Sequence, residues 1–153
     1  MTDAGAVRHH FTVDVEEYFH PTAMAAYYPM ASWDALPRRS REVVPRILDF
    51  LEERGVQGTF FVVGWLAERE PEVVRSIARG GHELASHGWE HELVPRLGPD
   101  GFRSSVRRSK DVVEEIIGAP IMGYRAPSFS ILPGMEWAFD VLLEEGYAYD
   151  ASL

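Results

Sequence analysis

A chain of 153 residues can bury one core but is short for two ordinary domains, so residues 1–153 are read as one unit. A formal net charge of −9 disfavours nucleic-acid binding, which needs Lys and Arg against phosphates, and no apolar run approaches the roughly 20 residues of a membrane-spanning helix. The chain has no cysteine, which excludes disulfides, thiolate chemistry and Cys-ligated zinc and leaves histidine and carboxylate as the strong metal ligands.

In chain order, residues 1–8 lack the basic start and long apolar stretch of a secretory signal, and a cytoplasmic protein is the expectation. Residues 9–15 are rich in β-formers and predict a strand. A long loop over 18–37 follows, carrying Pro21, Pro29 and Pro37 and the aromatics Tyr18, Phe19, Tyr27, Tyr28 and Trp33; it either covers a substrate or packs on the fold. Arg38, Arg39 and Arg41 form the densest basic cluster and read as a solvated face at a helix start. Residues 40–54 place Val43, Val44, Ile47, Leu48 and Leu51 on one helical face, with Gly55 as the stop. The run 59–63 predicts a second strand, 71–79 a helix with Pro71 in its first turn, and 83–86 a third strand. Residues 100–117 predict the longest helix, striped by Phe102, Val106, Val112, Val113, Ile116 and Ile117 and ended by Gly118. A fourth strand over 121–125, a helix over 134–145 and the start of a fifth strand over 147–150 complete the pattern.

Alternating strands and helices predict an α/β fold on a mostly parallel sheet, in which ligand sites lie at the carboxyl ends of the strands. Four polar clusters fall at such ends: residues 14–17, 87–91, 125–129 and Asp150. His87 and His91 are four apart, a spacing that puts two imidazoles on one face if the segment is helical. Zinc in a catalytic site commonly takes two histidines and a carboxylate and keeps a position for water, a set that His87, His91 and Glu16 would supply. Asp14, two residues from Glu16 on an extended strand, points to the same side and is the candidate base. Glu17 is the alternative ligand, because a bulge at the strand end would exchange the two carboxylates. His9, His10 and His20 read as edge or loop residues.

The stretches Asp14-Val15-Glu16-Glu17-Tyr18-Phe19, Ser86-His87-Gly88-Trp89-Glu90-His91, Tyr124-Arg125-Ala126-Pro127-Ser128-Phe129 and Tyr149-Asp150-Ala151-Ser152 together resemble the NodB-homology polysaccharide deacetylases of carbohydrate esterase family 4, and within them the branch associated with exopolysaccharide loci. The resemblance implies a distorted (β/α) barrel, a divalent metal, most often zinc, and removal of N-acetyl groups from a hexosamine polymer. It makes Asp14 the general base, His87 and His91 the imidazole ligands, Glu16 the third ligand and Arg125 the residue that orients the catalytic carboxylate; Pro127 shapes the turn after it. The family's general acid is a histidine late in the domain, and no histidine follows His91 here. The expectation is therefore the N-terminal part of a catalytic domain, about five βα units of an incomplete barrel whose open sheet edge favours a homo-oligomer. Two rivals stay open: an amidohydrolase of the same superfamily acting on a small cyclic imide or ureide, and a silent fragment that binds metal or saccharide without turnover.

Overall fold

A computed structural model describes residues 9–152, so the segment read as lacking a secretory signal lies outside the described residues. Five strands, β1 (Phe11–Val15), β2 (Gly58–Val62), β3 (Glu83–Ser86), β4 (Gly123–Tyr124) and β5 (Tyr149–Asp150), pair in parallel and in chain order. Helices occupy the crossovers: α1 (Ser40–Glu52), α2 (Gly64–Arg69), α3 (Pro71–Arg79), α4 (Val94–Ile117) and α5 (Trp137–Glu144). Sequential order with a helical crossover at each step is the parallel α/β sheet that the alternation predicts, and it forms an arc of the distorted (β/α) barrel that the resemblance implies.

Strand register decides which side chains face the site. Thr12 lies opposite Thr59 and Asp14 opposite Phe61, while Phe61 lies opposite Ala85, so these residues share the inner face. The alternate residues Val15, Phe60, Val62 and Leu84 turn outward into a core with Val44 and Leu51 of α1 and Val73, Val74 and Ile77 of α3. A second core gathers Phe102 and Val106 of α4, Tyr124 of β4 and Ala138, Val141 and Leu142 of α5. Burial of each such side chain stabilises by roughly 1.5–3 kcal/mol before chain entropy is subtracted.

Several predicted bounds shift, each for a physical reason. Helix α4 starts at Val94 instead of residue 100, because Pro95 opens a first turn that breaks at Gly98 (φ 63°, ψ 178°) just before Pro99. Helix α2 has no sequence signal: it is six residues long, and Gly64 to Ala67 are all buried, so no amphipathic period exists to read. Strands β4 and β5 shrink to two residues each, and α5 begins at Trp137 after a turn in which Met135 donates to the Leu132 carbonyl.

The loop over 18–37 holds two short 3₁₀ turns, Thr22–Met24 and Met30–Ala35, and packs on the fold through Trp33, which is buried edge-on against Trp65 with ring centroids 5.3 Å apart. The basic cluster is not a plain solvated face. Arg38 and Arg41 both pair with the buried carboxylate of Glu70, Arg38 lies 5.7 Å from the Trp65 ring and Arg39 5.6 Å from the Tyr18 ring. Burying Glu70 demands such partners. None of the described helices is long and apolar enough to cross a membrane.

Candidate metal centre and catalytic dyad

At the carboxyl end of β1 the chain carries three carboxylates with three different fates. Asp14 lies on the inner face, and Glu16, two residues on, stands beside the histidines. Glu17 turns the other way and is buried: its Oε2 accepts from the Arg39 amide at 2.9 Å and its Oε1 from the Ser40 amide at 3.0 Å. Those are unsatisfied donors at the start of α1, where a negative charge also meets the positive end of the helix dipole. Glu17 is thus committed to α1, and Glu16 is the carboxylate left for a cation. Glu17→Gln puts an amide donor against one of the two N–H groups, and we expect a loss of about 1–3 kcal/mol in chemical denaturation. Cation stoichiometry should stay unchanged.

The stretch from His87 to His91 is a loop and not a helix, so the expected i, i+4 face does not form. Gly88 (φ 75°) and His91 (φ 58°) both sit in the left-handed region, and this doubled reversal brings the two imidazoles together, ring centroids 5.2 Å apart. Neighbouring elements fix the path. The Gly64 and Trp65 amides at the start of α2 donate to the Gly88 and Trp89 carbonyls at 2.8 and 2.9 Å, and the Trp89 amide donates to Ser105 Oγ of α4 at 2.9 Å. Gly64 must lack a side chain, since a Cβ there would come within 2.6 Å of the Trp89 ring. Helix α2, invisible in the sequence, is therefore the splint for the histidine loop.

One ligand atom each from Glu16, His87 and His91 lies within 4.8 Å of the other two. Ligands about 2.1 Å from a tetrahedral ion sit roughly 3.4 Å apart, so the cluster needs only small adjustment to hold one. The Nδ1–H of His87 donates to the Arg125 carbonyl at 2.8 Å, which fixes the tautomer and leaves Nε2 with its lone pair free. Burial, the largest influence on His87, lowers its pKa against the opposing pull of Asp14, favouring the neutral form that ligates. Glu16 Oε2 lies 3.0 Å from His91 Nε2, yet although buried it has no hydrogen bond among the described residues, and His91 Nδ1 likewise has no partner among them. A desolvated carboxylate oxygen facing imidazole nitrogens fits a cation between them.

Arg125, just past β4, joins this cluster to Asp14. Its Nη1 donates to Asp14 Oδ1 at 2.8 Å and to Thr12 Oγ1 at 3.2 Å, its Nε donates to the Ala151 carbonyl at 3.1 Å, and its guanidinium lies 4.1 Å from the Phe61 ring. Oδ2 of Asp14 lies 3.9 Å from His87 Nε2. The second carboxylate oxygen therefore faces the side where Glu16, His87 and His91 converge. Asp150 does not join the cluster. It accepts from the Ser152 hydroxyl at 2.6 Å and amide at 3.1 Å, and Ser152 Oγ accepts from the Ala126 amide at 2.7 Å, so Asp150 braces the loop that carries Arg125.

His20, read from the sequence as an edge or loop residue, is buried among Phe19, Trp33 and Trp65. Its Nδ1 accepts from the Glu17 amide at 3.0 Å, and its buried Nε2 has no partner among the described residues. Its pKa falls to about 3, chiefly through burial and then through His91 and His87, which puts it in the electrostatic reach of the centre. The available sequence signal was its place in an aromatic-rich stretch directly after the acidic cluster. His9 and His10 are exposed.

Comparison with known proteins places this geometry in context. Residues 28–138 match the family model described as polysaccharide deacetylase, a span that takes in His87, His91 and Arg125 but not Asp14 or Glu16. A peptidoglycan-N-acetylglucosamine deacetylase of Bacillus cereus is 31% identical over 98 residues, 63% of this chain and 36% of that protein. The crystal structure of a candidate polysaccharide deacetylase from Mycobacterium smegmatis superposes with a TM-score of 0.75 at 38% identity, over 94% of this chain and 50% of that one. A Bacillus anthracis protein described as a CE4 family pseudoenzyme shares the fold, with a TM-score of 0.69 at 18% identity over 92% of this chain and 41% of that one. The chain thus spans half or less of the length of these relatives.

Proposed function

The chain belongs to the polysaccharide deacetylase family, and on that footing we propose that it supplies the cation-binding side of a hydrolase that removes acetyl groups from an amino-sugar polymer. The observation that carries the reading is the convergence of Glu16, His87 and His91 beside an Asp14 already held by Arg125.

Glu16 Oε2, His87 Nε2 and His91 Nε2 would hold the ion, and zinc suits a donor set of two imidazoles and one carboxylate. Such an ion, when bound, acidifies water and polarises a carbonyl. Asp14 accepts the proton of the attacking water at Oδ2, the oxygen that Arg125 leaves free. Arg125 holds the carboxylate in one orientation and, through its backbone carbonyl, holds His87 in the ligating tautomer. One residue thus sets the geometry of both the base and a ligand. The substrate is an acetylated hexosamine polymer or oligosaccharide, the class to which the B. cereus relative's name refers.

Two measurements test the reading. Elemental analysis should find one equivalent of divalent metal per chain, lost in His87→Ala and in Glu16→Gln and retained in Glu17→Gln. Acetate release from acetylated hexosamine oligomers should depend on that metal. A second reading is binding without turnover, since the fold is shared by the Bacillus anthracis protein described as a CE4 family pseudoenzyme. Stoichiometric metal with no acetate release would establish it over the first, and no stoichiometric metal would overturn both.

A further inference from the structure

His20 is 3% exposed and carries a donor that nothing described so far uses. Its Nδ1 accepts from the Glu17 amide at 3.0 Å, and burial favours the neutral ring, so the one ring proton sits on Nε2. That N–H is buried and has no acceptor among the described residues. Phe19, Trp33 and Trp65 enclose the imidazole, with ring centroids 4.9, 4.7 and 5.3 Å away. A leucine or phenylalanine would fill such a cage without desolvating a polar group, so packing alone does not account for a histidine. The Glu17 amide does not account for it either, because the oxygen of a shorter asparagine would satisfy it.

The ring stands between the two segments that carry the candidate ligands. On one side is the turn directly after Glu16, closed by the His20 amide donating to the Glu17 carbonyl at 2.9 Å. On the other is Trp65, whose ring meets His20 edge-on and whose amide holds the Trp89 carbonyl of the histidine loop. After burial, His91 and then His87 are the groups that act on it electrostatically. At the cation site two further buried atoms lack a partner among the described residues, Glu16 Oε2 and His91 Nδ1. A neutral imidazole that ligates through Nε2 carries its hydrogen on Nδ1, so of the three unpartnered atoms only Glu16 Oε2 is an acceptor. A buried donor and a buried acceptor, four residues apart around one turn, thus complement each other.

We infer that His20 is a positioning residue of the cation site, whose Nε2–H steadies the Glu16 carboxylate in its ligating orientation. The inference rests on the deacetylase reading and deepens it by naming the group that orients one of the three candidate ligands. Arg125 does the same for His87 through its backbone carbonyl. The ligand atoms have to close up slightly around an ion, and a carboxylate that moves keeps its direction only if its remaining lone pairs are held. The aromatic cage fixes the donor in advance, so little freedom is lost when it is used. His20 touches neither the ion nor the substrate in this role, and its contribution falls on affinity for the ion.

The test measures zinc affinity at neutral pH by competition with a chromophoric chelator, and the visible spectrum of the same proteins loaded with Co2+. His20→Asn satisfies the Glu17 amide but ends short of Nε2, His20→Met fills the cage without a donor, and His20→Gln carries an N–H out to the level of Nε2. The Asn and Met variants should bind zinc about 10- to 100-fold more weakly and shift the cobalt bands, whereas His20→Gln should stay within about threefold of wild type and keep them. Wild-type affinity in His20→Met overturns the inference. So does a loss that His20→Gln shares, since urea denaturation of the metal-free proteins would then show affinity merely following stability, with His20 a plug for its cage. Should His20→Asn fail to fold, the Met and Gln variants decide the matter alone. The two readings fail separately. Wild-type protein that binds no stoichiometric zinc removes the cation site and the inference with it, whereas stoichiometric zinc bound alike by wild type and variants keeps the site and removes only the role of His20.

Discussion

Asp14→Asn is expected to reduce acetate release about 10²- to 10⁴-fold, the range a positioned general base contributes, while metal stoichiometry stays at one per chain. The substitution is nearly isosteric. The introduced amide can keep its carbonyl oxygen on Arg125 Nη1, which lies 2.8 Å from Asp14 Oδ1 in the wild type, and the candidate ligands Glu16, His87 and His91 keep their places. What disappears is the free Oδ2 lone pair that faces the ligand side, 3.9 Å from His87 Nε2. An amide nitrogen there can donate but cannot accept a proton. Because the interaction is realised in the chemical step, the loss should fall on kcat with KM little changed. Parallel losses of metal and activity would show instead that Asp14 is a ligand, and undiminished release would remove it from the mechanism. Arg125→Lys offers the complementary comparison. Lysine retains the charge but cannot donate at once to Asp14, Thr12 and the Ala151 carbonyl in the planar fork that arginine uses.

Much of this site is legible in the sequence because strands and residue chemistry are local signals. The two-residue period of β1 places Asp14 and Glu16 on one side whatever the rest of the fold does, and the barrel rule places their strand ends together with those after β3 and β4. The choice between Glu16 and Glu17 is not legible. It depends on whether an amide pair 22 and 23 residues later, at Arg39 and Ser40, claims one of the carboxylates, and no local pattern announces that contact. The histidine spacing does bring two rings together, but through left-handed reversals at Gly88 and His91 and not through a helical turn. Helix α2 escapes notice because a six-residue helix buried over its first four positions shows no amphipathic period, and the burial of His20 escapes because the loop around it has no period at all.

That burial has a consequence for stability, expected in metal-free protein held in chelator. In the unfolded chain His20 titrates near 6.5, whereas in the folded protein its pKa is about 3. Below pH 6.5 the unfolded state therefore binds the extra proton, and folding stability falls as pH falls until the folded pKa is reached. The sign is that of a buried base: full stability above about pH 6.5, progressive loss between there and about pH 3. At pH 4.5 the contribution from His20 is about 2.7 kcal/mol, from about two pH units at 1.36 kcal/mol each. His87, lowered mainly by burial, and His82, lowered by burial alone, act in the same direction. Carboxylates such as Glu145, held low by Arg107 and Arg103, also lose their stabilising ionisation in acid, so the total alone does not isolate His20. The comparison with His20→Asn does. Asparagine offers an oxygen to the Glu17 amide in place of Nδ1 but cannot take up a proton. The variant should be less stable at pH 7.5, because it leaves a gap among Phe19, Trp33 and Trp65, yet its loss between pH 7.5 and 4.5 should be smaller than wild type's by roughly 2–3 kcal/mol. Urea denaturation at the two pH values measures both quantities, and equal losses in the two proteins would mean that His20 is protonated without cost and is not sealed in the aromatic cage.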